Sequence, residues 1–166
     1  MNRELEDKIQ QLISVYQDLT GCYRKVSEYG HEEVLMIDQG DMESLLELLR
    51  EKEEIMVEVT KHQAQVDSLQ EYLTNYYQLD SFSLKQLFAA VDSSNQKLLV
   101  KLQNEIKSLI KQLEILEEQE TIHEKMLRSY TNKLQLSNKM KQQRDAAKKA
   151  YEKAFDQKVN DIDYKE

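Results

Sequence analysis

The sequence predicts an all-α chain: an elongated antiparallel helical bundle, or coiled coil, of three long helices, with a short helical turn before the last of them. Three observations carry this expectation. Leu99, Leu102, Ile106, Leu109, Leu113, Leu116, Glu120, His123, Leu127, Tyr130 and Leu134 recur at a 3-4 spacing without a slip, which draws a heptad seam along one helix face. The 166 residues include no Pro and only three Gly, and 33% are charged, a composition typical of long helices. A seam of this length cannot be left in water, so other helices must lie along it.

The first of those helices is marked by Leu5, Ile9, Leu12, Tyr16, Leu19, Tyr23 and Val26, in a register that continues through Gly30 and Glu33 to Ile37. At 1.5 Å per residue it spans about 50 Å. Gly21 and Gly30 weaken it by about 1 kcal/mol each relative to Ala, and a bend or fraying is expected near Gly30. Gln39-Gly40-Asp41 is the first clear stop. Gly40 can take the left-handed conformation that ends a helix, and the Asp41 carboxylate can cap the next one. So short a turn makes helices one and two antiparallel neighbours.

Helix two carries Leu45, Leu48, Ile55, Val59, Val66, Leu69, Leu73 and Tyr76, with Lys52 and His62 in polar slots of the same seam. Leu46, Leu49 and Met56 widen the stripe, which suits contact with two partners. From Thr74 to Ser83 the pattern stops amid turn and cap residues. Leu84, Leu87, Phe88 and Val91 then form an amphipathic turn or two. Asp92-Ser93-Ser94-Asn95 either caps the last helix or lies within one continuous helix from Ser83; the absence of Gly and Pro favours continuity.

The last helix, from Asn95 to Phe155, would extend about 90 Å and outrun its partners. Past Leu134 its apolar positions thin to Leu136, Met140, Ala147, Tyr151, Ala154 and Phe155, interleaved with basic residues. Two regions follow: residues 1–136 as the bundle, and 137–166 as an amphipathic, flexible segment with no partner inside the chain. Such a segment is completed by another protein, which makes Leu134, Met140, Ala147, Tyr151 and Phe155 the candidate client-binding residues. A long unpaired helix can also pair with its own copy, so a homodimer and a plain structural coiled-coil scaffold form the alternative.

The net charge of −8 argues against nucleic acid or an anionic membrane as the main partner, since both need a strongly basic face. One cysteine, Cys22, allows no intramolecular disulfide. The N-terminal residues lack the apolar core of a signal peptide, and no apolar run approaches the 18–20 or so residues that span a bilayer. A cytoplasmic protein without membrane insertion is expected.

Glu28-x-x-His31 and Glu120-x-x-His123 match the spacing of helical metal sites. A true site needs two further inward carboxylates, and Glu28 and His31 lie off the seam. The plainer reading is polar residues that set register in a narrow seam. Cys22 has no Cys or His near it in sequence, and three scattered glycines cannot build a phosphate loop. Neither a metal, a cofactor nor a catalytic residue is expected, and the chain reads as a non-enzyme. Tyr16, Tyr23, Tyr76 and Tyr130 read as packing residues.

The turn Asp38-Gln39-Gly40-Asp41-Met42-Glu43-Ser44-Leu45, followed by Leu48-Leu49 and Lys52-Glu53, resembles flagellar export chaperones of the FlgN type, in which a Gly-Asp turn joins two long helices. The segment Leu113–Tyr130, ending Leu127-Arg128-Ser129-Tyr130, is similar to that family's long last helix, although Glu120 and His123 stand where the family tends to carry Asn. Tyr151-Glu152-Lys153-Ala154 resembles its C-terminal tyrosine element, without the Gly that often follows. The resemblance implies a cytosolic type III secretion chaperone that binds the terminal helices of hook–filament junction proteins, prevents their premature assembly, and hands them to the export gate. Tyr151 would be the gate contact.

Overall fold

A computed structural model describes residues 3–134 and 148–154, apart from the Leu134 side chain. The described residues are all-α and contain no strand. The elements are α1 (Arg3–Gln39), α2 (Met42–Tyr76), α3 (Leu84–Ala90), a 3-10 turn (Ser93–Asn95) and α4 (Gln96–Leu134); residues 148–154 are also helical. No described helix is long and apolar enough to cross a membrane.

Most of the heptad positions are buried. On α1, Leu5, Ile9, Leu12, Tyr16, Leu19, Tyr23, Val26 and Ile37 are all buried, and Leu45, Leu48, Val59, Val66, Leu69 and Leu73 follow on α2. On α4 the seam is buried at Leu99, Leu102, Leu109, Leu116, Glu120, His123 and Leu127. Tyr76 departs from this pattern. It is half exposed, and its ring lies 6.3 Å from Tyr72 and 5.0 Å from Tyr77 in an aromatic group at the end of α2.

The α1–α2 turn forms as the residues dictate. Gly40 takes φ +70°, Asp41 N–H donates to Met36 O at 2.9 Å, and Ser44 N–H donates to Asp41 Oδ1 at 3.2 Å. These bonds satisfy some of the orphan groups at the two helix ends, and the Ser44 hydroxyl, with the Ser44 N–H, holds the Asp41 carboxyl below its ordinary range. At the far end of α2, Gln78 adopts φ 54°, and Leu79 N–H reaches back to Thr74 O at 2.9 Å.

Two expectations are corrected. α1 does not fray at Gly30; it runs on without a break to Gln39. The Gln119 amide fills the space a Cβ would take there, 2.9 Å from that position, and donates to Ser27 O at 3.3 Å. The stretch from Ser83 is also not one continuous helix. Ser83 caps α3, which ends in extended backbone at Val91. No Gly or Pro is needed for the break, because the Gln96 side chain donates to Phe88 O at 2.9 Å and Val91 O at 3.1 Å, satisfying carbonyls that a longer helix would have used.

The chain forms two compact units, each drawing on all three long helices: residues 1–21 with 59–113, and residues 22–58 with 114–166. In the first, Gln17 donates to Glu105 at 3.1 Å and Gln70 to the Tyr16 hydroxyl at 2.7 Å. In the second, the tight turn makes α1 and α2 antiparallel. Ser27 faces Gln119 and Glu33 faces His123, so numbering rises together along α1 and α4, as in parallel helices.

Candidate binding site

The second unit holds an apolar seat and, next to it, a buried polar cluster. The seat is built by Ile37 of α1, Met42, Leu45 and Leu49 of α2, and Leu127 of α4. Tyr151 completes it, flanked by Ala150 and Ala154. Ile37, Leu45 and Leu127 are seam positions of the long helices, and Leu49 lies beside the α2 seam, so the pattern that binds the helices to one another also helps build the seat. Tyr151 is 2% exposed, and its hydroxyl donates to the main-chain carbonyl of Glu120 at 3.0 Å. A buried tyrosine needs such a partner for its polar end. Burial pushes the Tyr151 phenol well above its ordinary range, and the Glu120, Glu33 and Glu124 carboxylates push it further.

This arrangement overturns the expectation that the C-terminal segment has no partner inside the chain, at least for residues 148–154. If α4 ran unbroken through Tyr151, the 31 residues from Glu120 would span about 46 Å; instead the two residues are in hydrogen-bond contact. The Tyr151 ring, flanked by Ala150 and Ala154, anchors the segment in the seat, a docking that its weak periodicity did not reveal. Of the other expected client-binding residues, Leu134 stands at the end of α4, and Met140, Ala147 and Phe155 lie outside the described residues. The structure therefore brings only Tyr151 of that set into a described site.

The polar cluster joins one side chain from α1, one from α2 and two from α4. Lys52 Nζ bonds to Glu33 Oε1 and, at 2.9 Å, to Glu120 Oε1. His123 Nδ1 lies 2.9 Å from Glu33 Oε2. That approach is close but not aligned for a hydrogen bond, and both atoms are buried without another partner. Glu33 is 0% exposed and His123 2%. Burial works against the Lys52 ammonium, but Glu33 and Glu120 outweigh it and hold the proton above the ordinary lysine range. The cluster is thus an internal ion-pair network with two negative charges and one fixed positive charge. Donor atoms of Glu33, Glu120 and His123 lie within 4.8 Å of one another, so these three could hold a metal ion. Glu28 and His31 are exposed and take no part. Cys22 is half-buried.

Sequence reasoning identified Lys52, Glu120 and His123 as polar occupants of seams and placed Glu33 on one, but did not bring the four together. One signal was available: the tight turn at Gly40 fixes how α1 faces α2, and that facing sets Glu33 against Lys52. Tyr16 and Tyr23 are buried as expected, and Tyr130 is half-buried over the turn; a Cβ on Gly40 would stand 2.7 Å from the Tyr130 hydroxyl.

In comparisons with protein-family models, curated proteins and solved structures, nothing matches the chain.

Proposed function

We propose that this protein is a helix-binding chaperone rather than an enzyme, working in the cytoplasm as a flagellar type III export chaperone for hook–filament junction proteins. The docked segment 148–154 supports only the helix-binding part of the reading: the seat formed by α1, α2 and α4 accepts a short amphipathic helix through one tyrosine, while the flagellar part rests on the resemblance of the Asp38–Leu45 turn. A client's terminal helix recognises such a groove by the same apolar anchors. In the docked form Tyr151 is covered, so it becomes available to an export-gate component only after the segment leaves. A client helix that takes the seat releases the segment; Met140, Ala147 and Phe155 are the further candidates for client contact.

The test is a titration of the full chain with a terminal-helix peptide from a hook–filament junction protein, followed by amide exchange. Binding should expose residues 148–154, and Tyr151→Ala, which removes the internal competitor, should bind more tightly than wild type. Weaker binding by that variant, with its circular dichroism still helical, would contradict release of the segment.

A second reading, a structural coiled-coil subunit, is favoured by one observation. Ile115 and Ile122 on α4 are seven residues apart and about half exposed, as on a helix face that pairs with a copy. Sedimentation across a concentration series separates the two: a tight homodimer lost in Ile115→Ser, Ile122→Ser supports the scaffold.

A further inference from the structure

We infer that Glu33, Glu120 and His123 form a site for one divalent transition-metal ion of the zinc class, held closed by the Lys52 ammonium. The inference is independent of any helix-binding role. It begins from two orphaned atoms. Glu33 Oε2 and His123 Nδ1 are both buried, 2.9 Å apart, and without a hydrogen bond. A lone pair left unsatisfied in the interior is costly, and these two point toward one volume. The third donor, the Glu120 carboxylate, lies with them inside 4.8 Å.

One imidazole and two carboxylates suit zinc or ferrous iron. In a tetrahedral site with bonds of about 2.1 Å, neighbouring donors stand about 3.4 Å apart. The Glu33–His123 pair is tighter than that by about half an ångström, and no two of the three donors are more than 4.8 Å apart. Small rotations of two glutamate side chains close the difference, while the helices that carry them stay in place.

Charge decides what else must happen. Two carboxylates are balanced either by one divalent ion or by Lys52 together with one further positive charge. A divalent ion beside Lys52 would leave an excess buried positive charge, which is unfavourable. Metal and ammonium therefore compete for Glu33 and Glu120. Lysine suits the role of a displaceable plug, being a compact charge on a flexible stem, whereas arginine would grip a carboxylate through two parallel bonds and stay charged.

Cobalt(II) titration of the full chain, read by its ligand-field absorption, and zinc titration by calorimetry test this. Wild type should bind one ion per chain. Lys52→Met should bind at least tenfold more tightly and Lys52→Arg at least tenfold more weakly, while Glu33→Gln and His123→Gln should lose the site. If Lys52→Met fails to fold by circular dichroism, the wild-type and Lys52→Arg pair carries the comparison. A wild-type chain with no saturable site, equal affinity in Lys52→Arg, or binding that survives His123→Gln overturns the inference.

Discussion

The two compact units use the same three helices and fill them differently. In the first, the seam is apolar: Leu5, Ile9, Leu12 and Leu19 on α1, Val66, Leu69 and Leu73 on α2, and Leu99, Leu102 and Leu109 on α4 are buried. In the second, four seam positions, one on α1, one on α2 and two on α4, are taken by Glu33, Lys52, Glu120 and His123. An apolar seam is stabilised in proportion to area and tolerates sliding by a heptad. A charged cluster is satisfied in one register only, because a shift of one turn strands a buried charge. Both units bury apolar residues, and the second adds a cluster that fixes the alignment of its helices.

The sharpest way to break this contrast is at Lys52. Lys52→Met leaves two carboxylates buried without their cation and should cost about 3–5 kcal/mol, measured by urea denaturation. Replacing the network together, Glu33→Leu with Lys52→Met and Glu120→Leu, should regain most of that loss, since an apolar set of similar volume is neutral or better. Leu12→Ala in the first unit should cost about 2–5 kcal/mol, and no companion truncation there should restore it. A triple variant as unstable as the single one would show that the second unit depends on its charges for more than mutual neutralisation.

Alkaline pH should separate the units next. Both Lys52 and Tyr151 are held above their ordinary ranges. The stability each contributes is present below the unfolded value, about 10.4 for lysine and 10 for tyrosine, and is lost as pH rises through the folded value. Loss of amide protection should therefore begin in residues 148–154 and their seat above about pH 10. Tyr151→Phe cannot ionise and should resist that loss, while giving up about 1 kcal/mol at neutral pH with the hydrogen bond to Glu120.

The smallest effects should come from two glycines. Gly40→Ala meets a left-handed backbone, which costs about 1–2 kcal/mol, and the Tyr130 ring; thermal melting should show a loss. Gly21→Ala has nothing within 4 Å and should gain up to about 1 kcal/mol from helix propensity.

These contrasts also show where the sequence was legible. Periodicity places a residue on a face, so the three long helices and most of the buried seam positions could be read from spacing, and the Gly40–Asp41 turn from its residue types. Glu33, Lys52, Glu120 and His123 were visible as polar residues on seams for the same reason. Their meeting was not visible, because periodicity within one helix is silent about its register against another. The tight turn supplied that register for α1 and α2, whereas α4 is separated from α2 by Tyr77–Asn95. Two contacts at places far apart in the sequence hid the rest. The break before α4 rests on the Gln96 side chain, a contact no propensity reports, and the docking of Tyr151 rests on one ring in a stretch whose apolar spacing is too sparse to signal a helix packed at home.

The acceptor of the Tyr151 hydroxyl is a main-chain oxygen of α4. Any amino acid at position 120 presents the same oxygen, so the clasp on the segment and the ion network can drift apart over generations. A homologue that has lost Glu120 could still keep its tail fastened, and one that has lost the tyrosine could still keep its charges paired.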